Sequence, residues 1–153
     1  MQFELLALVA TGLFSGASSY ITLVEHPARL RCGPAVALAQ WRPSYRLATF
    51  MQASLAIIGS LSAIAAFLVG SGTPTLIAGL LQGVVVPFTF LAIMPANRQL
   101  EEPARDPQSA ETVTLLRRWG TLHAARTVLG LLAFGILVVH LFGVGKWLRG
   151  ISR

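Results

Sequence analysis

Residues 47–95 read LATFMQASLAIIGSLSAIAAFLVGSGTPTLIAGLLQGVVVPFTFLAIMP, without one Asp, Glu, Lys, Arg or His. A bilayer-crossing helix needs about 20 apolar residues at roughly 1.5 Å each. This stretch holds two such runs, 47–69 and 75–95, parted only by Gly-Ser-Gly-Thr-Pro at 70–74. A link that short makes the two runs an antiparallel hairpin. Working outward, two further runs are long enough: 3–24, and 120–143 with a helix expected to begin near 110. The expected fold is all-α: a four-transmembrane-helix bundle, up-and-down, in a single integral membrane domain over 1–153. Its helices fall at about 3–24, 47–69, 75–95 and 110–143. No Lys or Arg precedes the first run and it outlasts a signal-peptide core, so a retained helix is expected there.

Composition agrees. Of 153 residues, 54% are apolar and 12% charged, and the mean hydropathy is +0.67. Soluble domains carry about 25% charged residues, which excludes a soluble globule. The single cysteine, Cys32, excludes an intramolecular disulfide and a cysteine-built zinc or iron–sulfur site. A net charge of +6 would suggest nucleic acid in a soluble chain. Here the arginines flank apolar runs, so the partner is the lipid surface and no nucleic acid is expected. Arg29, Arg31, Arg42, Arg46, Arg98, Arg105, Arg117 and Arg118 lie in the first and third connections, against Lys146, Arg149 and Arg153 at the other end. Positive charge favours the cytoplasm, so both termini are expected outside it, in the inner membrane if the chain is bacterial. Within the first connection, 25–46, Pro34 heads a short interfacial helix over 35–42, with Trp41 at headgroup level. Trp119 and Trp147 are expected to anchor at the interfaces likewise. In the third, 96–119, Asp106 and Pro107 read as a helix cap and first helical residue.

Ionisable residues at membrane depth are costly and point to function. Glu25 and His26 close the first run, Gln52 lies near the start of the second, Pro95 and Asn97 close the third, and Trp119, His123 and Arg126 open the fourth. An antiparallel bundle brings all of them to one end. Helical spacing then groups them by face. Gly12, Ser15, Gly16, Ser19, Thr22 and His26 form a small-and-polar stripe containing Gly-x-x-x-Gly, expected to face the bundle interior. Trp119, His123, Arg126 and Gly130 share another face, as do Tyr45, Thr49 and Gln52, and roughly Gln82, Thr89 and Asn97. Glu25 and Arg126 are expected to pair as ions. His140 lies about 25 Å along the helix from His123, outside the cluster, and Pro87 is expected to kink the third helix.

Two chemistries suit this set. His26, His123, Glu25 and Asn97 offer two imidazoles, a carboxylate and an amide oxygen, a ligand set for one transition metal ion such as copper or iron. Haem between two histidines demands a larger cleft, and the His-Glu-x-x-His spacing of zinc proteases is absent. Without a metal, His123 acts as a general base and Arg126 stabilises an enolate or peroxide anion, with Glu25 as its counter-ion. Gln52, Trp119 and Tyr45 would contact substrate in either case. The residues leave both chemistries open.

One spaced pattern goes further. Glu25-His26-Pro27-Ala28-Arg29-Leu30, Trp41, Tyr45, Gln52, Pro87-Phe88-Thr89, Pro95-x-Asn97-x-x-Leu100 and Trp119-x-x-x-His123-x-x-Arg126 together resemble the anthrone oxygenase-like family of small four-helix membrane proteins. The resemblance implies an oxygen-dependent oxidation of a flat, lipophilic, phenolic or polyketide-like substrate. By position it makes Glu25, His26, Asn97, His123 and Arg126 functional, and it leaves cofactor and substrate open. The expectation is a membrane oxygenase that draws substrate and dioxygen from the bilayer, with a homo-oligomer compatible. The alternative is a non-catalytic membrane subunit whose polar cluster holds the bundle together and whose Gly-x-x-x-Gly face assembles with itself or with partner proteins.

Overall fold

A computed structural model describes residues 1–143. Trp147 and the basic residues Lys146, Arg149 and Arg153 lie outside the described residues. Four helices, α1 (Gln2–Arg31), α2 (Pro34–Leu68), α3 (Thr73–Glu101) and α4 (Ala110–Phe142), are long and apolar enough to cross a membrane. They close into a ring in which α1 packs on α2 and α4, and α3 on the same two. The described residues form an all-α bundle of four helices of membrane-spanning length.

Several boundaries differ from the sequence expectation. The first connection is only Cys32–Gly33, with Gly33 at φ 86°, a left-handed conformation that glycine adopts without strain. The segment 35–42 is therefore no separate interfacial helix but the first turns of α2. Pro34 sits in the first turn, where its missing N–H costs nothing, and Pro43 lies on the exposed face. Asp106 caps a turn rather than α4: its Oδ1 accepts from the Gln108 amide at 2.9 Å, while Ser109 caps the helix by accepting from the Thr112 amide at 3.2 Å. Trp41 and Trp119 are 0% and 5% exposed, so they are core residues and not interfacial anchors.

Two π-turns interrupt the helices, at Ile21–Glu25 in α1 and Thr89–Ile93 in α3. Each ends two residues before a proline, Pro27 and Pro95. A proline inside a helix offers no N–H to the carbonyl four residues back and crowds it. Widening the preceding turn is one relief, and it inserts a residue that rotates everything beyond it. The buried face of α1 accordingly runs through Ala7, Thr11, Phe14, Ser18, Ile21 and His26. Gly16 faces outward with nothing near it, whereas Gly12 abuts Phe134. The Gly-x-x-x-Gly stripe is thus split between interior and exterior, because its strict helical spacing does not match this face.

The interior is layered. Ala7, Ala63, Ala78, Ala133 and Leu137 fill the end near the termini, and Phe14, Ala56 and Val85 the middle. Small residues allow close helix approach there. Trp41, Leu38, Leu100, Leu116 and Trp119 fill the loop end. Counted about 20 residues from the terminal end, the hydrocarbon reaches the level of Thr22, Ala48, Ile93 and Leu122. The 35-residue α2 is about 52 Å long and so projects well beyond it.

Candidate active site

At the level where the hydrocarbon ends, the helices enclose a cavity of about 80 Å³ that opens to one side. Arg29 of α1, Tyr45 and Gln52 of α2, Asn97 of α3, and Trp119, His123 and Arg126 of α4 line it among apolar side chains. Its composition suits a lipophilic ligand held by a few polar groups. Glu25 and His26 are absent from the lining and sit behind it.

The orientation of His123 follows from counting protons. Thr127 Oγ1 lies 2.9 Å from the His123 carbonyl and 3.4 Å from that of Ser18, and a carbonyl only accepts, so the Thr127 proton points there. With the Thr127 proton there, Thr22 Oγ1, 2.9 Å from Thr127 Oγ1, is the donor of that pair. Thr22 consequently accepts from His123 Nδ1 at 3.0 Å. In the neutral imidazole this places the proton on Nδ1 and leaves Nε2 with a bare lone pair. In that arrangement His123 is the Nδ1-protonated tautomer.

Arg126 is 9% exposed, and its Nη2 donates to Gln52 Oε1 at 2.6 Å. Ser18 Oγ donates to the same oxygen at 3.4 Å. The guanidinium also stands 5.2 Å from the Phe14 ring centre, a cation–π distance. Among the described residues no carboxylate accompanies it. Glu25 pairs with Arg29, one turn along α1, and also accepts from Gln40 and Ser44. Glu101 pairs with Arg46, Glu102 and Glu111 with Arg105, and Glu4 with the terminal amine. The expected Glu25–Arg126 pair is therefore replaced: the i,i+4 partner on the same helix is within reach, and Arg126 lies deeper.

His26 Nε2 donates to the Leu116 carbonyl at 3.0 Å, with the ring pressed against Gly120. Trp119 contacts both imidazoles, its ring centre 5.0 Å from His26 and 4.9 Å from His123. The two histidines are thus within about 10 Å of each other, yet only His123 reaches the cavity. Trp41 stacks on Tyr45 at 4.8 Å and meets Trp119 edge-on at 5.8 Å, bracing the cavity wall from behind. A Cβ on residue 120 would stand 2.6 Å from His26 Nε2. Gly120→Ala is expected to displace the imidazole, break its bond to Leu116 and cost about 1–3 kcal/mol, seen as a lower thermal midpoint in detergent.

The sequence profile of the family described as anthrone oxygenase matches residues 41–136. This chain belongs to the anthrone oxygenase family. The matched stretch carries Tyr45, Gln52, Asn97, Trp119, His123 and Arg126, the cavity residues of α2, α3 and α4. Among curated relatives, the anthrone oxygenase tpcL of Aspergillus fumigatus is 39% identical over 66 residues, a stretch covering 41% of this chain and 41% of that protein. No solved structure matches.

For this family member, the metal set expected from sequence does not assemble. Glu25 is held by Arg29, Gln40 and Ser44, His26 turns Nε2 to a carbonyl, and only His123 and Asn97 face the cavity. Among the described residues no three His, Cys, Asp or Glu approach one another closely enough to hold an ion. The physical reason is competition by nearer partners: Arg29, Gln40 and Ser44 hold the Glu25 carboxylate and the Leu116 carbonyl holds His26, while Arg29 itself lines the cavity. Arg29 escaped the sequence reading although its i+4 spacing from Glu25 marked it. Thr127, i+4 from His123, escaped likewise.

Proposed function

We propose that this protein is a membrane oxygenase that converts an activated methylene of a flat, lipophilic, enolisable substrate into a carbonyl, using dioxygen and its own side chains. One observation carries the reading: a histidine whose Nδ1 lies 3.0 Å from the Thr22 hydroxyl shares a cavity at the hydrocarbon boundary with an arginine that, among the described residues, has no carboxylate partner. A buried guanidinium without a counter-ion is costly. An anion formed in the cavity supplies the missing charge.

The chemistry follows in order. His123 Nε2 takes a proton from the methylene carbon, and the enolate oxygen is stabilised by Arg126. The electron-rich carbon reduces dioxygen and bonds to it, giving a peroxide anion that the imidazolium protonates. Loss of the second C–H proton then breaks the O–O bond, yielding carbonyl and hydroxide. The proton returned through His123 makes water. The sum is one methylene plus one dioxygen to one carbonyl plus one water. Asn97, Gln52, Tyr45 and Trp119 position the ring system, Trp119 by stacking. By the charge rule, the arginine-rich loop end is assigned to the cytoplasmic side.

The test uses the full chain in lipid nanodiscs with anthrone as the probe. Expected are uptake of one dioxygen per anthrone, formation of the quinone, and a rate unchanged by chelators. No acceleration over His123→Gln protein overturns the proposal, and stoichiometric bound metal required for turnover replaces it with metal chemistry.

A further inference from the structure

We propose that the cavity is reached sideways from the bilayer hydrocarbon, through a window between α2 and α3 framed by Thr49, Ala53, Val86 and Phe90. The identity of what passes rests on the oxygenase reading; the window itself does not. Its ligand class is an apolar molecule dissolved among acyl chains.

The other directions are closed. Toward the loop end, Arg42 binds the end of α3 through Nε to the Leu100 carbonyl at 3.1 Å and Nη2 to the Glu102 carbonyl at 2.8 Å. Arg46 adds a 3.0 Å ion pair to Glu101. Beneath this staple Leu38, Trp41, Leu100 and Leu116 form a plug, none more than 1% exposed. Toward the terminal end, Phe14, Ala56 and Val85 seal the floor equally tightly. On the α1 and α4 side the polar wall of Arg29, Trp119, His123 and Arg126 is buried.

Only on α2 and α3 do lining residues reach the outside. Thr49, Ala53 and Phe90 are exposed, and Val86 is half-buried between them. The surrounding surface is apolar: Leu47, Phe50 and Leu91 are all nearly fully exposed. Such a surface belongs in hydrocarbon, and Ala53, Val86 and Phe90 lie on the hydrocarbon side of the boundary derived above. The π-turn at Thr89–Ile93 keeps Val86, Phe90 and Met94, spaced by four, along this edge. Ala53 is the smallest side chain of the frame, so a larger one there narrows the passage.

Fluorescence tests this without turnover. In full-length protein carrying Trp41→Phe and Trp147→Phe, Trp119 on the cavity wall is the fluorophore, and the probe is phosphatidylcholine brominated along its acyl chains. The expected result is strong quenching of Trp119, reduced at least twofold by Thr49→Leu with Ala53→Leu and increased by Phe90→Ala. Leu13→Phe, on the outer face of α1, should leave it unchanged. Quenching by aqueous acrylamide in place of the bromolipid, quenching by neither, or quenching indifferent to the window substitutions overturns the proposal. If the window responds as expected while anthrone is not oxidised, the access route stands and the oxygenase reading falls.

Discussion

Arg126→Met is expected to lower the oxidation rate by about 10²–10³ and at the same time raise the thermal midpoint of the bundle. The two signs follow from one fact, that the guanidinium is buried with one amide oxygen, itself held by a hydroxyl, and an aromatic ring around it but, among the described residues, no carboxylate. Desolvating an unpaired charge is unfavourable, and replacing buried ionic groups by apolar ones of similar volume is often neutral or stabilising by about 1–4 kcal/mol. Methionine fills an irregular space readily, and Gln52 Oε1 keeps the Ser18 hydroxyl as a donor. Against this stands the loss of the cation–π contact, about 0.5–2 kcal/mol. The net expectation is a gain on the order of 1–2 kcal/mol, read by thermal unfolding in detergent. Removing an anion-stabilising donor commonly lowers turnover by about 10²–10³, which dioxygen uptake with anthrone would register. Arg126→Lys should recover only part of the rate, because an ammonium keeps the charge without the planar fork. A protein that used this arginine to hold its helices together would instead lose stability in Arg126→Met, and that result would remove the catalytic assignment in favour of a structural subunit.

The helices were readable because length and hydropathy alone decide what crosses a bilayer, and the face of α4 because Trp119, His123 and Arg126 lie in uninterrupted α-helix. In α1, Thr22 and His26 turn inward as the spacing predicts, and the departures lie at Glu25 and Arg29. Extrapolating a regular 3.6-residue period through Ile21–Glu25 takes no account of the π-turn that Pro27 accompanies, so Arg29 was overlooked and Glu25 was aimed at the wrong arginine. The proline pair is visible in the sequence, two residues beyond each π-turn, and in α3 the π-turn lies between Pro87 and Pro95. Trp41 was misplaced because the junction at Cys32–Gly33 is so short that α2 begins far outside the hydrocarbon. A tryptophan that lies beyond the apolar run by sequence is, in the folded chain, packed between helices that project into the headgroup zone.

His123→Gln and His26→Gln are expected to part company. In sequence they are equivalent, two imidazoles at one end of the bundle, and a shared metal would make their losses alike. In the structure His123 lines the cavity with Nδ1 committed to Thr22, whereas His26 sits behind Trp119 with Nε2 committed to Leu116. Removing the base should lower the oxidation rate by about 10²–10⁴ with little change in the thermal midpoint. Replacing His26 should do the reverse: the rate stays within a few-fold, while the midpoint falls because a ring fitted between Gly120 and Trp119 is lost. Thr22→Val extends the argument to the tautomer. Without an acceptor at Nδ1 the imidazole is free to carry its proton on Nε2, where it cannot act as a base, and the rate should fall by about 10-fold or more although Thr22 itself is absent from the cavity lining. Because such a change could also arise from local disorder, Thr22→Ser, which keeps the hydroxyl, should restore most of the rate. Equal loss of activity in both histidine variants, or full activity in Thr22→Val, would show that the base does not depend on this relay.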